Sequence, residues 1–588
     1  MGSSFGRDML YRAVLGIVLL GTACSSDDSS GPAGVPDRSD AGRVVAPTFF
    51  TDVTEVAGLA AFRHSNGGFG EKWFPEIMGS GGAFVDYDGD GWLDILLVGG
   101  GSLPSRPVED VPAVSLFRNV GYGTFRDVTR ESGLSDVRAY GMGIAVADYD
   151  NDGDPDFLLT TLQENLLFRN DGGVFTEIGR EAGIADVARW STSAIFFDAD
   201  RDGHLDIYVT NYVAWSADTD IECEHAGRRD FCNPRQYRGV ADSFYRNDGR
   251  GKFVNAGESA GFHNGIELVG SRGLGVTELD FNNDGWPDVY VANDGGRNYL
   301  FRNDGEGAFT ETATRSGVAF DQRGTPRAGM GVDVGVVDST RELSIFVGNF
   351  SQETVSVWRH EQGGFFVDRA AVSGVGFPSR GTLTFGLVLF DIDLDTDLDL
   401  LLANGNVIEQ IASMQAGVTF RERPQLFVNR GDGVFDEFET AHGPLSKRML
   451  ARGLAVGDVD RDGDLDMLVT ENDGPAHLWR NDLDGGAFLR VRLQGTESNR
   501  DGVGARILAA IPGHTMERRV RAGFSYLSDS EKTATFGLGR HRDVSTLEVT
   551  WPSGRVERIE RVASNQEVLL VEGSGDLVSK WSRSDPAQ

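Results

Sequence analysis

The chain has 588 residues, a formal net charge of −34 and 40% hydrophobic residues, so its acidic composition still leaves enough apolar side chains for a buried core. Its length is compatible with roughly two to four domains, and its 78 glycines indicate many tight turns. The acidic charge argues against a nucleic-acid partner, because phosphate binding depends on clustered Lys and Arg.

The amino terminus has the composition of an export signal. Arg7 and Arg12 precede a short apolar run that cannot span a bilayer, and small residues then lead to Cys24. This arrangement resembles a bacterial lipoprotein signal, and it predicts a signal peptide over 1–23 with lipidation of Cys24. The alternative is an ordinary secretory signal with an incidental cysteine. Residues 24–46, rich in Ser, Asp, Gly and Pro, are predicted to form a disordered tether.

These features predict an exported protein, in the periplasm or at the outer membrane or cell surface if lipidated, and otherwise secreted. A lipid anchor is the only membrane attachment that we expect. The two remaining cysteines, Cys223 and Cys232, are nine positions apart, and in an exported protein such a pair predicts a disulfide that closes a local loop. A metal site that includes His225 is the weaker alternative, since no fourth ligand is evident.

Six segments follow the pattern Asp-x-Asp/Asn-x-Asp-Gly-x-x-Asp or a near copy of it, each between two short apolar runs. Carboxylates at alternate positions around a glycine bend place hard oxygen ligands about one cation, which is the chemistry of a calcium loop. A plain Asp-Gly hairpin turn is the alternative, but recurrence in register favours metal binding. With the carbonyl of the seventh position included, the candidate ligands are Asp86, Asp88, Asp90, Trp92 and Asp94; Asp148, Asp150, Asp152, Asp154 and Asp156; Asp198, Asp200, Asp202, His204 and Asp206; Asp280, Asn282, Asp284, Trp286 and Asp288; Asp391, Asp393, Asp395, Asp397 and Asp399; and Asp458, Asp460, Asp462, Asp464 and Asp466.

Two loops depart from the pattern. The loop at Asp391 has Thr396 where glycine is expected, which puts its metal site in doubt. A seventh copy starts at Val336 and keeps only Asp338 among its carboxylate positions, so we expect it to be empty of metal while its strands remain. The pattern thus predicts about five or six Ca²⁺ sites.

Internal repetition predicts the fold. Each loop lies between two apolar strands, a third strand follows with a Leu-Phe-Arg-Asn signature, and a Gly-rich hairpin leads to a fourth strand opened by Phe, as at Leu116 and Phe125. Four short strands per unit are typical of a propeller blade. A segment from Phe50 matches a fourth strand but precedes the first loop, so it can complete the last blade. We therefore predict an all-β chain with a seven-bladed β-propeller over 47–485.

The remaining residues also have the pattern of strands. Alternating segments such as Phe488–Leu493 and Leu547–Trp551 predict a small β-sandwich or barrel over 486–572, and residues 573–588 are predicted to be a polar tail. The basic residues of this part, Arg506 and Arg518 to Arg521, are interpreted as a solvated strand face in preference to an anion site.

Both parts resemble known families. The loop-flanking strands resemble the FG-GAP/VCBS repeats of integrin-type propellers. The tail resembles the ASPIC/UnbV domain through Asn499-Arg-Asp-Gly-Val-Gly-Ala-Arg, Phe536-Gly-Leu-Gly and Trp551-Pro-Ser-Gly. This combination is similar to the cartilage acidic protein family and its bacterial relatives. The resemblance implies a secreted or surface-attached calcium-binding propeller.

Three functions remain open from the sequence. The favoured hypothesis is a non-catalytic recognition or adhesion module for an extracellular protein or glycan ligand. The alternative is a propeller-based hydrolase or oxidoreductase with its site in the central channel, although no catalytic motif is found. His64 with Glu71 and Glu76 is the best polar site outside the loops, and a surface-loop histidine is its more frequent explanation. In the third hypothesis, the propeller only positions a ligand-binding carboxy-terminal domain.

Overall fold

A computed structural model of the protein describes residues 50–583, except 102, 104–110, 226, 267, 268, 362 and 484. These residues belong to one compact unit, Thr48–Gln588. The predicted signal peptide, the lipidation site Cys24 and the tether lie outside them. Within the described residues, no helix is long and apolar enough to cross a membrane.

The first part of the chain contains seven four-stranded antiparallel sheets, which confirms the predicted all-β propeller architecture. The strands are β1 (Phe50–Asp52); β2 (Gly82–Val85), β3 (Asp94–Val98), β4 (Val114–Asn119) and β5 (Phe125–Asp127) in sheet 1; β6 (Gly141–Ala147), β7 (Asp156–Thr161), β8 (Leu166–Asn170) and β9 (Phe175–Glu177) in sheet 2; β10 (Ser191–Phe197), β11 (Asp206–Asn211), β14 (Ser243–Asn247) and β15 (Phe253–Asn255) in sheet 3, with the separate hairpin β12 (Cys223–His225) and β13 (Arg228–Asp230) inserted; β16 (Gly273–Leu279), β17 (Asp288–Asn293), β18 (Tyr299–Asn303) and β19 (Phe309–Glu311) in sheet 4; β20 (Gly329–Val336), β21 (Leu343–Asn349), β22 (Ser356–Glu361) and β23 (Phe365–Asp368) in sheet 5; β24 (Thr384–Phe390), β25 (Asp399–Asn404), β26 (Gln425–Asn429) and β27 (Phe435–Phe438) in sheet 6; and β28 (Ala451–Gly457), β29 (Asp466–Glu471) and β30 (Ala476–Asn481), which form sheet 7 with β1.

The sheets form a closed ring. The first strand of each sheet contacts the first strand of the next, and β28 contacts β2 to complete the circle. Strand β1 pairs antiparallel with β30, with Phe50 opposite Asn481, so the start of the described chain completes the last sheet as the sequence predicts. Closure removes the unpaired sheet edges that an open array would expose.

Each acidic loop joins the first and second strands of one sheet. Loops 1 to 7 carry the numbers of their sheets and begin at Asp86, Asp148, Asp198, Asp280, Val336, Asp391 and Asp458. All seven loops therefore lie at the same end of the ring. Short helices occupy some of the connections: α1 (Gly179–Ala182), α2 (Ala313–Ser316), α3 (Gly376–Ser379), α4 (Ile411–Met414), and 3₁₀ turns at Phe74–Ile77, Ala217–Thr219, Pro234–Gln236 and Pro444–Ser446.

The carboxy-terminal domain packs two further four-stranded sheets around apolar side chains that include Val491, Ile507 and Trp551. Its strands are β31 (Ala487–Gln494), β32 (Arg506–Ile511), β33 (His514–Arg519), β34 (Ala534–Gly539), β35 (Asp543–Thr550), β36 (Val556–Ala563), β37 (Gln566–Val571) and β38 (Leu577–Ser582). The prediction of a polar tail from 573 is wrong for β38, which pairs with β37. The polar composition of this segment gave no sign of a strand, and backbone pairing with β37 is what holds it in the sheet.

A segment of this domain fills the centre of the ring. Residues 521–530, hereafter the plug, connect β33 to β34 and contact the first strands of all seven sheets. The amide of Ile144 donates to the carbonyl of Leu527 at 3.1 Å, and the amide of Val332 donates to the carbonyl of Ser525 at 3.1 Å. A Cβ at Gly143 would lie 3.0 Å from the Leu527 Cα, so glycine permits this close approach. The sequence predicts packing of the two domains but not the plug.

Candidate metal centres

The structure brings together the carboxylates that the sequence selected. In five loops, three carboxylate oxygens from different residues lie within 4.8 Å of one another, close enough to share one cation. The clusters are Asp86, Asp88 and Asp90; Asp148, Asp150 and Asp156; Asp198, Asp200 and Asp202; Asp391, Asp393 and Asp399; and Asp458, Asp460 and Asp466. Loop 4 gives no such trio within the described residues, because Asn282 supplies an amide in place of the second carboxylate.

A backbone bend at the sixth position creates this geometry. Gly91 and Gly463 have φ angles of 87° and 98°, and Thr396 in loop 6 reaches the same region at 105°. In each case the amide of the sixth residue donates to the first aspartate, at 3.0 Å from Thr396 to Asp391. Threonine thus adopts the glycine conformation at a strain cost, and the carboxylates of loop 6 converge despite the substitution.

Several carboxylate oxygens in these loops are buried and have no hydrogen-bond partner. They are Asp150 Oδ1, Asp393 Oδ1, Asp458 Oδ1, Asp460 Oδ1 and Asp464 Oδ1. An unpaired buried carboxylate oxygen is costly, and a bound cation removes that cost. The donor set is all oxygen, which suits Ca²⁺ and excludes the sulfur and nitrogen environment typical of zinc. The residues present therefore fit the ion that the sequence predicts.

The electrostatics of the loops point the same way. Burial, reinforced by neighbouring carboxylates, raises the pKa of Asp94 to about 8, of Asp156 to about 9 and of Asp391 to about 8. These raised pKa values show that burial and the neighbouring carboxylates disfavour the ionised form of each aspartate. A divalent cation would reverse the effect by stabilising the ionised form.

The seventh positions have differing side-chain roles. Asp154 accepts a hydrogen bond from the Gly172 amide at 2.8 Å, and the ring of Trp92 lies 3.8 Å from the Arg461 guanidinium carbon. Loop 4 has a similar contact between an arginine and a seventh-position tryptophan: the guanidinium carbon of Arg201 lies 5.1 Å from the ring of Trp286. Use of the seventh carbonyl as a metal ligand stays a prediction.

In loop 5 an arginine pairs with the one aspartate that remains at a ligand position. Its single aspartate at a ligand position, Asp338, lies 2.8 Å from the guanidinium of Arg359 and also accepts from the Thr340 amide at 2.8 Å. One carboxylate and one guanidinium make a neutral pair, so no second cation is needed. Sheet 5 nevertheless keeps all four strands, as the sequence predicts.

The ninth aspartate of each acidic loop is a structural tie whose role the sequence analysis missed. In loop 1, Asp94 accepts from the Tyr87 amide at 3.1 Å and from the Asn119 amide at 2.7 Å, so it joins the loop to the third strand. The same two bonds recur in loops 2, 3, 4, 6 and 7. The first aspartates also accept amide donors, two in loop 2 from Asp152 and Gly153, and the ninth carboxylates still belong to the clusters of loops 2, 6 and 7.

The asparagine of the Leu-Phe-Arg-Asn signature links neighbouring sheets. Asn119 donates from its side chain to the carbonyl of Val459 in loop 7 at 2.8 Å, and Asn170 donates to the carbonyl of Tyr87 in loop 1 at 2.8 Å. Equivalent hydrogen bonds are donated by the side chains of Asn247, Asn303, Asn429 and Asn481. Six loops, all except loop 4, are thereby bonded to the next sheet, since β22 of sheet 5 contains no asparagine. The repeated asparagine was the signal from which this role could have been inferred.

The carboxy-terminal domain covers the loop end of the ring. Its arginines approach the first aspartates: Arg490 lies 3.4 Å from Asp458, and Arg492 lies 3.4 Å from Asp86. Similar contacts join Arg500 to Asp148 at 3.7 Å and Arg519 to Asp280 at 3.6 Å, while Gly539 donates to Leu394 in loop 6 at 2.8 Å. The candidate metal centres therefore lie at the interface between the two domains.

Two side-chain interpretations from the sequence are corrected here. Arg519 and Arg521 do not form a solvated face, because their side chains are 13% and 11% exposed and Arg521 lies 2.7 Å from the buried Asp333. His64 is not on a surface loop: it is buried, its Nδ1 accepts from the Asp473 amide at 3.0 Å, and burial lowers its pKa to about 3. Packing between distant segments buries all three residues, which no local pattern reveals.

The predicted cysteine pair forms a disulfide. Cys223 and Cys232 have Cα atoms 5.2 Å apart, and the bond lies across the β12–β13 hairpin. The alternative metal site with His225 is not formed, because Nε2 of this histidine lies 2.9 Å from the carbonyl of Phe231.

Comparisons with known proteins agree with the two-part organisation. A family described as FG-GAP-like repeat matches residues 86–159, 148–209, 280–340 and 414–469, and one described as ASPIC and UnbV matches 495–577. Cartilage acidic protein 1 of Mus musculus is 25% identical over 315 residues, covering 51% of this chain and 45% of the relative. The Homo sapiens protein is 25% identical over 300 residues, covering 49% and 42%. The chain thus spans less than half the length of these relatives.

Part of this chain is similar to a solved structure of an Agrocybe aegerita lectin, described as specifically recognising non-reducing terminal N-acetylglucosamine. The match covers 68% of this chain and 87% of that chain, with 16% identity and a TM-score of 0.37. Taken together, the repeats, the appended domain and the relatives identify the chain as an FG-GAP-repeat protein with a carboxy-terminal ASPIC and UnbV domain, distantly similar to cartilage acidic protein 1.

Proposed function

We propose that the protein is an exported, calcium-binding propeller that acts as a non-catalytic recognition or adhesion module, tethered to the membrane through Cys24. The observation that carries the calcium assignment is the recurrence of converging carboxylates with unpaired buried oxygens in the acidic loops. Loops 1, 2, 3, 6 and 7 would hold calcium through carboxylates of their first, third, fifth and ninth residues, with loop 4 a weaker site.

The role of the ion in this proposal is structural. Loaded loops no longer repel themselves, so each stiffens the turn between the first and second strands of its sheet and the surface on which the carboxy-terminal domain lies. Extracellular calcium modules commonly have dissociation constants of about 10⁻⁴ to 10⁻³ M. Such affinities favour constant occupancy outside the cell over signalling.

The recognition role is supported by how the two ends of the ring differ. The loop end is covered by the carboxy-terminal domain and the centre holds the plug, so the opposite end offers the accessible surface for a protein or glycan ligand. A propeller enzyme with its site in the central channel is less well supported, because the plug occupies that position. The comparisons favour a non-enzymatic module without excluding catalysis.

Calcium binding to the full exported chain tests the proposal. We expect equilibrium dialysis to give several bound ions per chain, and a chelator to lower the melting temperature. The double variant Asp458→Asn with Asp460→Asn should lose one ion, whereas Asp171→Asn, which removes an exposed carboxylate outside the loops, should lose none. Folded protein that takes up no stoichiometric calcium would refute the proposal, and glycan and protein arrays with and without calcium test recognition.

A further inference from the structure

A half-open cavity of about 250 Å³ lies at the end of the ring opposite the acidic loops. Leu274 and Met330, the second residues of β16 and β20, line it, together with Leu383 and Phe385 at the start of β24. The loops follow the far ends of these same strands, so the cavity and the candidate metal centres are on opposite sides of the plug.

Much of the cavity wall is formed by buried apolar side chains. Phe74, Met78 and Met330 are buried, and Phe385 packs against Tyr526 of the plug with ring centroids 4.8 Å apart. The hydroxyl of Tyr526 donates to the Met78 carbonyl at 3.0 Å, which fixes this floor to the turn before sheet 1. A preformed apolar cavity of this kind is the usual setting for small-molecule binding.

One wall carries two carboxylates that lack an ionic partner. Asp294 accepts from the Tyr212 hydroxyl at 2.5 Å, and Glu353 accepts from the Ala328 amide at 2.8 Å. Across the described part of the chain, no Lys, Arg or His nitrogen lies within ion-pair distance of either carboxylate. Burial raises the pKa of both carboxylates. The Tyr212 hydrogen bond and the charges of Arg272 and Arg235 offset this only in part at Asp294, and the Ala328 amide and the charges of Arg327 and Arg235 do so at Glu353.

The disulfide hairpin forms the rim. Phe231 and Pro234, which follow β13, line the cavity beside Arg235, whose side chain is exposed. The disulfide between Cys223 and Cys232 ties β12 to the segment that carries these residues. The insertion adds no strand to sheet 3, so the repeat pattern does not explain it. Its position over the cavity does give it a role, that of forming the rim.

We propose that this cavity binds a small organic cation, a primary amine on an aromatic or short aliphatic group, with the ammonium beside Asp294 and Glu353. The apolar group would bury against Met330 and Phe385, and the charge would supply the ionic partner that the two carboxylates lack. The volume is just below the range of about 300–1,000 Å³ that is usual for ligand pockets, so it suits a small ligand. The inference names a ligand class for the accessible end of the ring and in that respect rests on the proposed function.

Three probes of similar shape separate charge from apolar burial. With calcium-loaded protein, calorimetry or ligand-observed NMR should show phenethylamine binding at least about tenfold more tightly than 2-phenylethanol, with 3-phenylpropionate weakest. The double variant Asp294→Asn with Glu353→Gln should abolish the preference for the amine and retain binding of the alcohol. Equal affinities for amine and alcohol in the unaltered protein would overturn the proposal.

Filling the cavity provides the second test. Met330 and Val407 both line the cavity. Met330→Trp and Val407→Trp should each abolish binding of all three probes, and the second variant keeps the test valid if the first does not fold. Their chelator-dependent melting shift should match that of the unaltered protein. If a folded filled variant still binds phenethylamine, the cavity is not the site. Absence of amine binding in protein that retains the calcium-dependent shift refutes this inference and leaves the proposed function intact.

Discussion

A charged cluster lies where β1 joins β30 and the ring closes. His477 on β30 lies 2.9 Å from Glu471 and 3.8 Å from Asp52 on β1, and its side chain is 14% exposed. Burial opposes a charge on His477, but the hydrogen bonds to Asp52 and Glu471 outweigh it and raise its pKa from 6.5 to about 9. Replacing His477 should therefore weaken the attachment of β1.

The size of the His477 contribution to stability, and the direction in which it changes with pH, follow from the difference between its folded and unfolded pKa. A folded pKa of about 9 against 6.5 in the unfolded chain corresponds to about 3 kcal/mol of stability. Because the folded value is raised, this stability is complete below pH 6.5 and is lost as the pH rises through 9. The pKa of Asp52 is held below its usual range despite burial, chiefly by His477, so its own contribution is lost only in acid.

Hydrogen exchange of the β1 amides reports this attachment directly. After correction for intrinsic rates, protection should fall by about two orders of magnitude between pH 6.5 and pH 9.5. In His477→Gln it should be low at both values, and the exposed His442→Gln should behave as the unaltered protein. If unaltered protein and His477→Gln show the same pH dependence, the cluster does not hold β1 and the reasoning is wrong.

Three further substitutions test contacts described above. Thr396→Gly should raise stability by about 1 kcal/mol by relieving the positive φ. Thr310→Gly, at the exposed position of β19, should lower stability because glycine weakens a strand interior, and the free energy of unfolding in denaturant compares the two variants. Arg490→Met should cost about 3–5 kcal/mol, because Asp458, Glu531 and Glu567 lose a buried partner at 2.7–3.4 Å, and added calcium should restore part of the melting temperature. Asn119→Leu should cost about 1–3 kcal/mol by removing the side-chain hydrogen bonds to the carbonyls of Val459 and Leu93, and unchanged unfolding would contradict its role between sheets.

The sequence alone determined the parts of this protein whose causes are local. Nine consecutive residues set the ligand geometry of each acidic loop, and the four strands of each repeat alternate or run apolar over a few positions. The segment at Phe50 matched a fourth strand closely enough to predict ring closure. Loop 6 shows the limit of this reasoning, because only the backbone shows that Thr396 adopts the glycine conformation.

The tertiary structure decided what depends on residues far apart in the chain. Residues 521–530 have no periodicity that predicts insertion into the ring, and their partners on the first strands are distant in sequence, 74 residues away for Ser530 with Val456 and 446 for Ser528 with Gly82. The burial of His64 and the pairing of Arg490 with Asp458 have the same origin. Such contacts depend on shape and charge complementarity between completed surfaces, which exist only after the local elements have folded and packed.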